Sequence, residues 1–300
     1  MRVVIAGAGG GVGASLAFNL LLSPLDCEVV MLDERQNMVH SHLWDLEQVL
    51  EQIAPTPPAT VRSGSVEDVD GADMLVITAA APLTVNDSRM VYLRDNTAIL
   101  APLLDRVPHG WPGTVILVTN PVDPLGTWAQ RHTGLERTRL LGYTLNDSLR
   151  LRTGIGRVLD VAPGRVRAWM IGEHGDLAVP LWDRVELDGA AVALDDVQRA
   201  GVMEFVSGWY VRHVALDSGR SSTWTSGLGI ARMVQACLDP EGDELWPASI
   251  MLCGEYGLEG VSLSVPVRLG GGGARRIEEW ELGARDHEAL HGAARFVREA

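Results

Sequence analysis

Apolar residues in the first half of the chain come in short, unbroken runs. Val3 to Ala6, Glu28 to Leu32, Met74 to Thr78 and Val115 to Thr119 are rich in β-formers and lack polar alternation. Such runs predict strands covered on both faces, as in a parallel sheet. Helical segments are predicted between them, from Val12 to Leu22 and around His40 to Ile53. This strand–helix rhythm predicts an α/β fold with a doubly wound parallel sheet. The second half reads differently. Arg165 to Ile171 and Pro180 to Leu187 predict strands, Asp195 to His213 one long helix, and Thr225 to Leu238 another. Ile250 to Gly254 and Val261 to Leu269 predict an antiparallel pair, followed by a Gly270–Gly273 turn and a helix over Asp286 to Glu299. The change of pattern near Leu141 predicts two domains, 1–141 and 142–300, the second of α+β type. No internal repeat marks the division.

Composition narrows the chemistry. With 46% hydrophobic and 21% charged residues, the chain has globular composition. Its net charge of −14 disfavours nucleic acid and anionic membranes as partners. All 25 basic residues are arginine, which excludes lysine Schiff bases and phosphate loops built on lysine. Cys27, Cys237 and Cys253 are widely spaced and read as buried thiols in a reducing compartment. The opening residues show no leader pattern and no apolar run reaches membrane-spanning length, so a cytoplasmic protein is expected. No His/Cys cluster has metal-ligand spacing, and no metal is expected.

The stretch Gly7-Ala8-Gly9-Gly10-Gly11-Val12-Gly13 lies between the first strand and the first helix. A flexible turn would also be rich in glycine. At this position, however, glycines let a pyrophosphate approach the backbone and the positive end of a helix. Asp33 follows at the end of the second strand, where a carboxylate accepts hydrogen bonds from an adenosine ribose and repels a 2′-phosphate. NAD is therefore favoured over NADP.

Three further segments carry candidate chemistry. Gly172-Glu173-His174-Gly175-Asp176 places a histidine between glycines that leave it accessible. Asn146-Asp147-Ser148-Leu149-Arg150 would put Asp147 and Arg150 on one helix face, where a plain surface ion pair is the alternative. Asn120-Pro121-Val122-Asp123 ends an apolar strand at the sheet edge where such folds bind ligands.

Taken in order, GAGGGVG, Asp33, TNPVD, NDSLR, GEHGD and LSVPVRLG resemble the lactate/malate dehydrogenase family from end to end. The glycine spacing is nearer the malate version; GEHGD, STWTSGLGIA and GEYG are nearer the lactate one. The resemblance implies a Rossmann domain followed by a catalytic domain, and NAD-dependent interconversion of an L-2-hydroxy acid and its 2-oxo acid. It implies His174 as general acid/base, Asp147 as its carboxylate partner and Arg89 as the loop residue polarising the carbonyl. Arg150 would grip the substrate carboxylate, and Asn120 would bond near nicotinamide and substrate. Gly7, Gly10, Gly11, Val12, Gly13, Asp33, Thr78, Ala79, Asn96, Thr119 and Asn120 would line the cofactor site, with Ser222 on the substrate side. A homodimer or homotetramer is also implied.

One position departs from the family. Leu83 aligns with the substrate-discriminating residue, where arginine accompanies malate-type substrates and glutamine accompanies lactate. Leucine cannot pair with a second carboxylate, so an apolar or atypical substrate side chain is expected. The alternative is a malate dehydrogenase in which another cation, such as Arg220, supplies the charge. Thr84, Asn86 and Ser88 could serve a polar substrate, and Arg220 is otherwise a surface residue. Metal-dependent NAD glycosidases lack their ligands here. A non-catalytic NAD sensor would be expected to have lost His174, Asp147 or Arg150. His40, His42 and Trp44 read as a packed helix face near the family's subunit contact.

Overall fold

The computed structural model describes residues 1–53, 58–86 and 88–300. Its first half alternates β1 (Arg2–Ala6), α1 (Gly11–Leu21), β2 (Glu28–Leu32), α2 (Gln36–Ile53), β3 (Thr60–Ser63) and β4 (Met74–Ile77). Then come α3 (Leu93–Leu104), β5 (Thr114–Leu117), α4 (Val122–Thr133) and β6 (Leu140–Tyr143). These six strands are parallel, in the order β3-β2-β1-β4-β5-β6. The order reverses between β1 and β4, which opens a crevice at their carboxyl ends. Strands β1, β4 and β5 are buried almost throughout, as their unbroken apolar runs require.

The second half begins with α5 (Leu145–Leu159), followed by β7 (Val166–Arg167), β8 (Met170–Gly172) and β9 (Ala178–Pro180). Next are β10 (Glu186–Leu187), β11 (Ala190–Ala191), α6 (Asp196–Ser207), α7 (Trp209–Val214) and α8 (Thr223–Leu238). The chain closes with β12 (Glu244–Cys253), β13 (Glu259–Gly270), β14 (Gly273–Ile277) and α9 (Ala284–Glu299). Strand β12 pairs antiparallel with β6, so the parallel sheet runs on through β12, β13, β8 and β9 without a gap. Strands β7, β10 and β11 form a separate three-stranded sheet. Helix α8 returns to pack on α1 so closely that a Cβ at Gly227 would lie 2.1 Å from Ser15 Oγ.

Several expectations are corrected. The strand expected over Arg165 to Ile171 is two strands in different sheets. Buried Ala168 marks the crossing, and Ser148 Oγ on α5 holds the Met170 N–H at 3.0 Å, where the second one starts. The strand expected over Pro180 to Leu187 is interrupted by a 3-10 turn at Trp182–Arg184, between buried Leu181 and Val185. The long helix expected over Asp195 to His213 breaks at Gly208, where a Cβ would meet Arg212 Nη1 at 2.2 Å. Strand β12 starts well before Ile250, because Pro247 falls on the same rung as Pro266 of β13. Cys27 and Cys237 are buried, but Cys253 is exposed, beside the register shift that ends β12. Among the described residues, no helix is long and apolar enough to cross a membrane.

The join between β6 and β12 is tight. A Cβ at Gly142 would lie 2.7 Å from both Ser249 Cβ and Val122 Cγ2. Gly142→Ala is therefore expected to lower the free energy of unfolding by about 1–3 kcal/mol, measured by urea denaturation.

Candidate active site

The cofactor end is built by the turn that leaves β1. Gly7 has φ +87° and is tied to β2 by its N–H bonding Leu32 O at 2.8 Å. A Cβ at Gly13 would come 2.6 Å from Gly7 O, so this turn closes only with glycine at both places. Helix α1 then opens with no side-chain cap and no acidic residue in its first turn, which leaves its N–H groups and positive end for an anion. At the end of β2, buried Asp33 accepts the Gly9 N–H and the Arg35 N–H, both at 2.9 Å. Burial works to raise its carboxyl group, but the hydrogen bonds from Arg35 and Gly9 outweigh it and hold Asp33 below the usual carboxylate range. A bare helix end beside an anionic carboxylate at the ribose position fits NAD.

From this turn a cavity of about 260 Å³ runs over the ends of β4 and β5 toward α5 and α7. Val12, Thr78, Asn96, Thr119 and Asn120 line its cofactor side. Asn96 holds two strand ends together: its Oδ1 accepts the Ala81 N–H at 2.7 Å and its Nδ2 donates to Asn120 O at 2.6 Å. Thr119 Oγ1 donates to Ala79 O at 2.8 Å. The Asn120 side-chain oxygen is buried and has no hydrogen-bond partner among the described residues, which suits it to a donor on a bound nicotinamide.

At the other end, α5 and the loop after β8 converge. Helical spacing puts Asp147 and Arg150 on one face, with Arg150 Nη1 3.0 Å from Asp147 Oδ1. The other Asp147 oxygen is in close contact with His174 Nδ1. One carboxylate therefore holds both side chains, and with each only 14% exposed the pair is not the surface ion pair that helical spacing alone would allow. His174 is only 8% exposed, yet its ring lines the cavity. Its flanking glycines serve packing rather than access. Gly172 takes φ +91°, and a Cβ at Gly175 would strike the Glu173 carboxylate at 2.5 Å. Burial pushes the His174 imidazole below its ordinary value; Asp147 pulls the other way, and Arg89 and Arg150 add to the depression.

The substrate side is closed by residues that the sequence reading passed over. The break at Gly208 turns α7 across the cavity, where Trp209 and Tyr210 line it with Leu83 and Val214. The Arg150 guanidinium carbon lies 4.0 Å from the Trp209 ring centre, and that of Arg89 lies 4.1 Å from Tyr210. Tyr210 also reaches the active-site loop, its hydroxyl bonding Asn86 Oδ1 at 3.0 Å. A glycine inside a helical run, followed directly by two aromatics, was the signal available. Ser222 lines the cavity; Arg220 does not. Its exposed guanidinium stacks on Trp224, beside a small adjoining cavity that it shares with Leu83 and His213.

The chain is similar to known proteins along its whole length. Residues 1–142 match the lactate/malate dehydrogenase NAD binding domain, and residues 144–299 match the lactate/malate dehydrogenase alpha/beta C-terminal domain. A malate dehydrogenase of Halobacterium salinarum is 31% identical over 297 residues, spanning 98% of this chain and 96% of the relative. An L-lactate dehydrogenase of Bifidobacterium longum is 31% identical over 306 residues, spanning 99% of this chain and 96% of the relative. The solved malate dehydrogenase of Salinibacter ruber superposes with a TM-score of 0.88 at 28% identity, covering all of this chain and 96% of its own. Both halves, and relatives of either name, place the chain in the lactate/malate dehydrogenase family, as an NAD-dependent hydroxy acid dehydrogenase.

Proposed function

We propose that the protein interconverts an L-2-hydroxy acid bearing an apolar side chain and the matching 2-oxo acid. Relatives named for malate and for lactate are equally similar, so identity does not choose the substrate. The observation that carries the choice is the wall of the cavity: Leu83, Trp209, Tyr210 and Val214 face it, while the Arg220 side chain lies outside. A second substrate carboxylate would meet these apolar side chains, with His213 beside them on α7. Residues 1–141 hold the cofactor in this reading and 142–300 hold the substrate, in a homo-oligomer. A non-catalytic sensor has no support from the family match.

NAD, when bound, supplies the carbon that accepts or returns the hydride. Gly7 to Gly13 and Asp33 hold its pyrophosphate and ribose, and Thr78, Ala79, Asn96, Thr119 and Asn120 border its nicotinamide. Arg150 receives the substrate carboxylate with the N–H groups that Asp147 leaves free. Because His174 Nδ1 faces Asp147, Nε2 takes the hydroxyl proton during oxidation and returns it during reduction. Asp147 stabilises the imidazolium that results. Arg89 polarises the reacting oxygen as its loop closes.

Oxidation needs neutral His174, the form that dominates above its pKa. Since that pKa is depressed, kcat/KM for the hydroxy acid should rise with pH and level off below the usual histidine range. Reduction should fall through the same pH. Asp147→Asn removes the one influence raising the pKa, so both midpoints should move to lower pH, and kcat should drop about 10²–10⁴-fold. Midpoints that stay put would remove Asp147 from this role.

Trp209→Ala is expected to raise KM for the oxo acid about thirtyfold and leave NADH binding unchanged, since a desolvated cation–π contact contributes about 2 kcal/mol. Steady-state kinetics and a separate NADH titration check both halves of that statement.

The substrate itself is tested by NADH oxidation against pyruvate, oxaloacetate, branched-chain, aromatic and polar 2-oxo acids. Apolar side chains should be preferred, with oxaloacetate poor, and Leu83→Arg should raise oxaloacetate about tenfold relative to them. A wild-type preference for oxaloacetate would sink the apolar reading.

A further inference from the structure

Behind the imidazole lies a carboxyl group that these steps do not use. Asp123, in the first turn of α4, is wholly buried. Its Oδ2 accepts the backbone N–H of His174 at 2.6 Å. Among the described residues its Oδ1 and the buried hydroxyls of Ser249 on β12 and Ser262 on β13 meet no partner in good hydrogen-bond geometry, although Ser249 lies close enough to Asp123 to counter part of the effect of burial. Both serines pack against Gly126, one turn further along α4. On the same segment as His174, Glu173 is also buried and accepts the Leu177 N–H at 3.2 Å.

We infer that Asp123 is a positioning residue for the dehydrogenase reaction, a neutral carboxylic acid that clamps the peptide of His174 and so sets the imidazole against Asp147. The inference rests on the reading of His174 as the acid/base. Charge explains why Asp123 would be neutral. Glu173 and Asp147 both add negative charge around it, and an unpaired buried anion is costly. Burial first, and Glu173 second, push Asp123 well above the ordinary carboxylate value. Burial likewise raises Glu173 to about 7, and Arg89 is a cation that opposes this. Protonated Asp123 satisfies the site: one oxygen accepts from His174 N–H, and the O–H can donate to the neighbouring Ser249 hydroxyl. The clamp joins α4, which follows Asn120, to the loop after β8. The nicotinamide side and the proton-transferring residue are thereby held at a fixed spacing.

The test compares wild type, Asp123→Asn, Asp123→Ala and His174→Asn as holoenzymes, with active sites counted by NADH binding. Asparagine keeps one acceptor and one donor, so Asp123→Asn should hold kcat within about threefold and leave the pH midpoint in place. Asp123→Ala should lose about tenfold to a hundredfold in kcat with KM for NADH unchanged, as a slightly misplaced acid/base does. Asp123→Ala at near wild-type kcat would overturn the clamp. An Asp123→Asn midpoint displaced to lower pH would overturn the neutral acid, because it would show a negative charge acting on His174. If the alanine variant does not fold, the asparagine profile decides alone. Turnover surviving in His174→Asn would instead overturn the reading of His174, a separate failure.

Discussion

A single carboxylate organises the substrate end. Asp147, 14% exposed, faces a histidine and an arginine at once. Removing a carboxylate from water costs several kcal/mol, and only well-placed partners offset it. Each partner is therefore held by the same requirement that holds the other, and the two groups that the proposed reaction needs on different sides of the substrate share one anchor. Helix α5 supplies the spacing of Asp147 and Arg150, and the β8 loop brings His174 to them. Little in this arrangement can move singly without leaving a charge unmatched.

The anchor holds its position because the two halves are not separate bodies resting on each other. Strand β12 continues the parallel sheet beyond β6, and α8 lies along α1. Helix α8 also touches the cofactor turn directly, with Thr223 beneath Gly11, while its Ser226 accepts a hydrogen bond from Asn146 at 2.9 Å. The same helix therefore sets the distance between the nucleotide turn and α5. Hydride transfer between two ligands bound on different halves depends on that distance.

The cofactor end was legible in the sequence because its determinants are contiguous. Glycines between a strand and a helix, and an acid at the next strand's end, interact with the backbone beside them. His174, Asp147 and Arg150 come from distant segments, and only the family motifs joined them; no local pattern says that His174 meets Asp147. Trp209 and Tyr210 escaped notice because their apolar spacing continued a helix, and the break at Gly208 depends on where Arg212 folds back. Asp123 was visible as a letter in a motif, but its bond to a backbone N–H fifty-one positions away has no sequence signature. Strand β12 begins at Glu244, before the apolar run that marks it in the sequence, because its pairing with β13 and not its own composition sets where it starts.

The division of labour at Gly208 has an evolutionary consequence. The parts that meet the substrate side chain are a loop and a six-residue helix, α7, each joined to the frame at its ends and neither part of the sheet. In the proposed function the residues that move the proton and hold the cofactor lie at the ends of the sheet strands and on α1, α3 and α5. Apart from Trp209 and Tyr210, which stack on Arg150 and Arg89, positions on α7 can be varied without touching the His174–Asp147 pair. A scaffold partitioned in this way can change its diet without first losing its appetite for nicotinamide.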